Sequence, residues 1–218
     1  MEPGQEVSTI RVVGRALRLL TVAAERPAGI GLADAARHVG LAPSTTHRIL
    51  RALETAEFVR RDDDGLFHAG SELVRLGALH TSQTALADLA QPHLDALAES
   101  TGESCYLAIA ANDDAAIYVR YAPSPHALRH VSWLGRQLPR AGTAVGAALE
   151  GRCSRLGVAV VRDGVELGTT AVARPVQVHG QVLGVLSVVG PSFRIGAARQ
   201  RAITTALTAA VEAIERGL

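Results

Sequence analysis

Read for apolar spacing, the chain changes rhythm once. Up to about Glu99 the apolar residues recur every three or four positions; from Ser104 onward they alternate or run together. The first rhythm is helical and the second extended. In Leu32–Val39 the apolar residues fall at Leu32, Ala35, Ala36 and Val39, and Gly40 stops that helix. Pro43 opens the next, since the first helical position needs no backbone N–H. There Thr46, Ile49, Leu50 and Leu53 turn inward, while Ser44, Thr45, Arg48 and Arg51 share the other face. Glu57–Arg61 and Leu66–Ala69 are short extended runs joined by Asp64–Gly65, a strong hairpin signal. Ahead of this unit, Ile10–Glu25 carries Val13, Leu17, Leu20 and Ala24 as one helical stripe. Met1–Thr9 reads as a disordered tail and Arg26–Gly31 as a loop.

After the hairpin, Gly70–Ser71 caps a helix from Glu72 with Leu73, Leu76 and Leu79 as its stripe. Leu86–Glu99 is a further helix, in which Pro92 predicts a kink or restart. Cys105–Ala110 and Ala115–Tyr121 are strands around an Asn112–Asp113–Asp114 turn. Leu128–Leu134 alternates like a half-exposed strand, and Thr143–Leu149 reads as a short helix. Leu156–Arg162, Thr169–Val178 and Val182–Val189 are three more strands, with turns at Asp163–Gly164 and His179–Gly180. Ala197–Arg216 closes the chain as a helix. The fold class is therefore α+β: a helical N-terminal domain over residues 10–70, a linker helix over 71–83, and over 84–218 a largely antiparallel sheet with helices packed on one face.

A helix of the Pro43 type fits the major groove of B-DNA, and its first turns usually carry the base contacts. Helix, glycine turn, polar-faced helix and Asp-Gly hairpin in that order point to a winged helix-turn-helix. Arg60 and Arg61 sit where a wing meets phosphates, whereas the acidic tip at Asp62, Asp63 and Asp64 argues against insertion into a groove. Arg11 and Arg15 are either phosphate contacts or solvated arginines. His47 either serves the core or points at DNA. The competing reading is a protein-interaction or small-molecule sensor module that keeps the winged helix only as scaffold and binds no specific DNA. Its surface would show exposed aromatic or aliphatic groups; this one shows hydroxyls and arginine.

Composition narrows this further. Aromatic residues make up only 3% of the 218, so any ligand pocket is expected to be mainly aliphatic. Net charge is +1, so DNA affinity must come from local placement of arginines. The chain holds no lysine. Cys105 reads as a core residue and Cys153 as an exposed loop residue, and neither suggests a disulfide. No leader and no run of 18 apolar residues occurs, so a soluble, cytoplasmic chain without membrane attachment is expected. Enzyme chemistry finds no support: HExxH, GxSxG and phosphate-loop patterns are absent, and His126 and His130 flank a loop and a strand rather than one helix face. No metal and no cofactor is expected.

The helix PSTTHRILRALE followed by EFVRR and GLFHAG, the junction LAESTGESCYLAI, the segment LPRAGTAVGAAL and the ending RPVQVHGQVLGVLSVVGP together resemble the IclR (isocitrate lyase regulator) family of bacterial transcription factors, from Val13 to about Ile214. That resemblance implies a winged helix-turn-helix, a linking helix and a GAF-like effector domain. It implies operator binding as a homodimer or homotetramer, modulated by a small organic effector; repression is the expected direction, with activation left open. Ser44, Thr45, Thr46 and Arg48 match the DNA-facing positions, to which His47, Arg51, Arg60, Arg61 and Arg15 are added. Ala144, Val145, Val172, Arg174, Ser187 and Val189 match the effector lining. Arg174, if it points inward, favours an anionic effector; otherwise it is an exposed strand residue. Where family members carry a helical segment of some tens of residues after the short helix, only Glu150–Arg155 stands here, which implies a pocket that is shallower, open or closed by another subunit.

Overall fold

The computed structural model describes residues 3–82, 85–127, 129 and 132–218, with side chains from 11–77, 85–127, 129 and 132–218. The chain folds as two compact units, Met1–Gln83 and Thr84–Leu218.

The first unit runs α1 (Pro3–Ala24), α2 (Leu32–Val39), α3 (Pro43–Thr55), β1 (Val59–Arg61), β2 (Phe67–Ala69) and α4 (Ser71–Ser82). α1 begins well before Ile10, so residues 3–9 are helical rather than a disordered tail. Its buried face is Leu19 and Ala23, while Val13 and Leu17 are exposed. The stripe expected from Val13 and Leu17 is thus rotated away from this unit's core. On α4, Val74 and Leu76 are exposed, and Leu79 lies outside the described side chains. Gly40 closes α2 in the left-handed region, at φ 65° and ψ 41°, where glycine carries no Cβ penalty. The chain can therefore reverse within two residues and start α3 at Pro43. Leu50 of α3 packs with Leu19, Ile30, Ala35, Val39, Val59 and Phe67 into one core. β1 and β2 pair antiparallel, Val59 opposite Ala69, and Ile30 bridges to Phe67, tying the wing to the loop after α1.

The second unit runs α5 (Ala85–Thr101), β3 (Ser104–Ala110), β4 (Ala115–Ala122), β5 (Gln137–Pro139), α6 (Ala144–Leu149), β6 (Ala159–Arg162), β7 (Thr169–Val178), β8 (Gln181–Pro191) and α7 (Ala197–Gly217). α5 continues through Pro92 without restarting. The expected strand at Leu128–Leu134 is not formed: Arg129, Ser132 and Trp133 are irregular and Leu134 is in a turn, while Leu128, His130 and Val131 lie outside the described residues. The edge strand is β5 instead. The six strands lie in the order β5-β4-β3-β8-β7-β6, each pair antiparallel.

Helices cover both faces, not one. α5 and α7 pack Leu94, Leu97, Ile203, Leu207 and Val211 against Cys105, Leu107, Val172, Leu186 and Val188. α6 lies on the opposite face, with Ala144 and Val145 against Tyr106, Tyr118, Trp133, Ala173, Val185 and Val189. Because the central strands are covered twice, their apolar residues run together instead of alternating. At one end of the sheet Arg194 grips Glu103 through two hydrogen bonds of 2.7 Å; the Glu103 side chain is 1% exposed.

Candidate nucleic-acid interface and effector pocket

α3 presents a polar face because its apolar residues are spent on the core. Ser44, Thr45, His47, Arg48 and Arg51 are exposed. Thr46 is not available: it is fully buried, and its hydroxyl donates to the Ala42 carbonyl at 3.2 Å. Its place among the DNA-facing positions is corrected by helix geometry, since it lies on the same side as Leu50, four residues on. Arg51 is held by Glu54 at 3.0 Å. Arg48 has no hydrogen-bond or ion-pair partner among the described residues, so a full charge is available on this face.

The wing is ordered by one carboxylate. Asp62 accepts the Leu66 N–H at 2.8 Å and meets His68 Nε2 at 2.6 Å. The His68 hydrogen bond, ahead of the Leu66 N–H, holds the Asp62 carboxyl below its ordinary range against a small opposing effect of burial; charge from His68 and Arg60 adds to the lowering. Arg61 bends over the hairpin, its Nε donating to the Gly65 carbonyl at 3.2 Å and its guanidinium 5.6 Å from the Phe67 ring centre. Arg60 is exposed and Arg15 half-buried. The surface with free cationic reach is therefore Arg48 and Arg60, with hydroxyls and an imidazole between α3 turns.

In the second unit, a pocket opens between α6 and the sheet. Thr143 sets α6 in place: its Oγ1 donates to the Pro139 carbonyl at 2.9 Å and accepts the Gly146 N–H at 3.0 Å. Gly146 lies so close to the Arg140 carbonyl that a Cβ would collide with it, which presses the helix onto the turn before it. The wall is formed by Tyr118, Trp133, Leu138, Thr143, Ala144 and Val145 on one side and by Val161, Val165, Ala171 and Val189 on the other. The enclosed space is about 10 Å³, room for one water and not for an organic molecule.

Of the expected lining, Ala144, Val145 and Val189 are there, and Ser187 lies buried on the same face, because it pairs with Ala173. Val172 and Arg174 are not. They pair with Val188 and Leu186, whose side chains meet α5 and α7, so both belong to the opposite face. Arg174 donates instead to the Leu156 carbonyl at 2.9 Å. The positions that face α6 are one residue away, at Ala171 and Ala173. The wall is mainly aliphatic, as expected, but two aromatic rings are part of it. Tyr118 and Trp133 line it, and a signal for this existed: Tyr106, Tyr118 and Tyr121 sit on neighbouring strands. Cys153 is half-buried against this core rather than exposed.

Among the described residues no cluster of three or more His, Cys, Asp or Glu could hold a metal ion, and no helix is long and apolar enough to cross a membrane.

Comparison with known proteins places the chain in a family. The IclR helix-turn-helix domain model matches residues 12–63, and the bacterial transcriptional regulator IclR C-terminal model matches residues 78–150. The second match ends at Glu150, the residue after α6. The chain is 35% identical over 141 residues to the glycerol operon regulatory protein of Streptomyces coelicolor, covering 64% of this chain and 55% of that one. It is 28% identical over 141 residues to the transcriptional repressor IclR of Escherichia coli, covering 64% and 52%. The aligned part thus spans about half the length of these relatives. The fold is shared with an IclR homolog from Microbacterium hydrocarbonoxydans solved with 4-hydroxybenzoate, at TM-score 0.80 and 18% identity over 94% of this chain and 98% of that one. These matches are to regulators and not to enzymes. With both family models matched in order, across more than half of its length, the chain belongs to the IclR family of transcriptional regulators, with the family's helix-turn-helix domain followed by its C-terminal domain.

Proposed function

We propose that this protein is a ligand-responsive repressor that binds a pseudo-palindromic operator as a homodimer or as a homotetramer built from such dimers. The observation that carries this reading is the exposed face of α3, where Arg48 stands unpaired among the described residues beside Ser44, Thr45 and His47. Thr45 and Arg48 carry most of the base readout, and Arg60 anchors a phosphate beside the helix. Arg51 and Arg61 contribute after release from Glu54 and Gly65. Arg15 is left to a peripheral phosphate contact.

Pairing of two copies finds support in the exposed Val12, Val13 and Leu17 of α1, apolar side chains that a second subunit can cover. A dimer brings two recognition helices to half-sites one or a few duplex turns apart. Repression is supported by the relative named as a repressor. Effector binding is supported by the structural neighbour solved with 4-hydroxybenzoate, and the pocket beside α6 is the site assigned to it here. Effector occupancy changes DNA affinity only by its differential affinity for the two arrangements of the dimer, transmitted along α4 and α5.

The test is enrichment and sequencing of genomic fragments by the purified protein, followed by footprinting of the recovered site. Arg48→Ala is expected to weaken specific binding at least tenfold, about 1.4 kcal/mol. An unchanged footprint removes α3 as the reading element. Absence of any enriched sequence favours the scaffold reading instead.

A further inference from the structure

The chain has three tyrosines and one tryptophan in 218 residues; all four form one ring cluster, and two of them, Tyr118 and Trp133, line the α6 pocket. The Tyr106 ring centre is 4.5 Å from Tyr118, 4.8 Å from Tyr121 and 6.2 Å from Trp133. Tyr118 and Trp133 stack at 6.1 Å. No arginine or histidine is among the residues lining the space. Arg174 faces the other side of the sheet. Arg136 sits outside, with its guanidinium 5.5 Å from the Trp133 ring centre. Arg140, whose Nε is buried without a hydrogen bond, is not part of the wall either. The Ser187 hydroxyl is fully buried on this face beside the Tyr118 phenol, its hydrogen-bonding neighbour.

The enclosed space is too small for any organic ligand, so occupancy requires something to move. Tyr118 is fixed on β4 between β3 and β5, and Leu138 on β5. Trp133 is the one large ring of the wall carried on irregular backbone, next to the Leu134–Gly135 turn. Its backbone N–H donates to the Tyr106 hydroxyl at 3.4 Å. We propose that the α6 pocket takes a neutral, flat, largely apolar ring compound with a single hydrogen-bonding group, and that this compound enters by displacing Trp133, which fills its place in the free protein. This deepens the effector reading above and rests on it.

The electrostatics agree. Burial pushes the Tyr118 phenol up to about 12, even though the adjacent Ser187 hydroxyl and the charge of Arg136 favour its anion. Burial raises Tyr106 as well. A medium that resists phenolate resists a carboxylate for the same reason: an ion removed from water without a paired countercharge loses its solvation. A neutral ring replaces the Trp133 indole at little cost in desolvation, and its hydroxyl or carbonyl joins the Tyr118–Ser187 pair at the wall.

The experiment uses the full chain with benzyl alcohol and benzoate, which share size and shape and differ in charge. Calorimetry is expected to show benzyl alcohol binding the native chain at least tenfold tighter than benzoate. The Trp133 emission is expected to shift to the red on saturation, as the indole leaves its site; benzyl alcohol does not absorb where tryptophan is excited. Trp133→Ala, which leaves the site open, is expected to bind benzyl alcohol at least tenfold tighter than the native chain, and Trp133→Phe by a smaller factor. Benzoate binding as tightly as the alcohol overturns the inference, most directly if Arg140→Gln abolishes it. So does emission that stays unchanged on saturation, or failure of the native chain to bind benzyl alcohol. Operator binding is measured on the same preparations. Loss of ligand selectivity with intact operator recognition removes only this inference, whereas absence of operator recognition removes the regulator reading itself.

Discussion

Single residues set the stakes in both units. Glu103 is a carboxylate buried at one end of the sheet, neutralised by the two-pronged grip of Arg194. Gly190 packs directly on it, and a side chain there would strike the carboxylate. Removing one partner of such a pair leaves an uncompensated buried charge. Arg194→Met is therefore expected to lower the stability of the second unit by about 3–5 kcal/mol, read as a drop in urea midpoint, with Glu103→Gln recovering part of it in the double variant. Tyr118 makes a second residue-scale prediction. Its folded value of about 12 lies above its ordinary 10.0. Its contribution is thus complete below pH 10 and is lost as pH rises toward 12, by about 1.4 kcal/mol per unit. Urea midpoints taken between pH 9 and 12 should fall in the native chain and fall less in Tyr118→Phe.

At the scale of elements, the wing depends on Asp62 more than on its strands, which are three residues each. Because the carboxyl is held below its ordinary 3.8, its tie to Leu66 and His68 is intact at neutral pH and is lost only as pH falls through the lowered value. An acid titration followed at the Leu66 amide should show a midpoint below 3.8; a midpoint above 4 contradicts the hydrogen bonds described. What could be read from the sequence at this scale was the existence and order of elements. α2, α3 and the hairpin carry their own punctuation in Gly40, Pro43 and Asp64–Gly65, and β7 was bounded at both ends as the structure shows it. Faces were harder. β7 and β8 are apolar on both sides, so alternation gives no phase, and Val172 and Arg174 were placed one residue out of step with Ala171 and Ala173. The matched recognition pattern likewise took in Thr46, although the helical period already turned it toward Leu50. Trp133 was missed because its alternating neighbours imitate a strand where the backbone is irregular. The stripe expected on α1 is about a quarter turn from the buried face, one residue out of step, since Val13 and Leu17 obey the helical spacing without facing this unit's core.

For the whole molecule, a net charge of +1 means that no broad field draws it to DNA, and binding rests on a few cations per subunit. Each phosphate neutralised contributes about −0.9 to the slope of log affinity against log salt. Arg60→Ala is expected to flatten that slope by about 1 per subunit while leaving the preferred sequence unchanged; a changed preference with an unchanged slope reverses the roles given to Arg60 and Arg48. The aromatic cluster has an optical consequence. Since Tyr106, Tyr118, Tyr121 and Trp133 are all the tyrosine and tryptophan the chain possesses, near-ultraviolet circular dichroism sees one half of the protein and is nearly blind to the other. Helical ellipticity sees both. Melting the protein while recording the two bands together therefore separates loss of the winged half from loss of the sheet, with no label and no truncation.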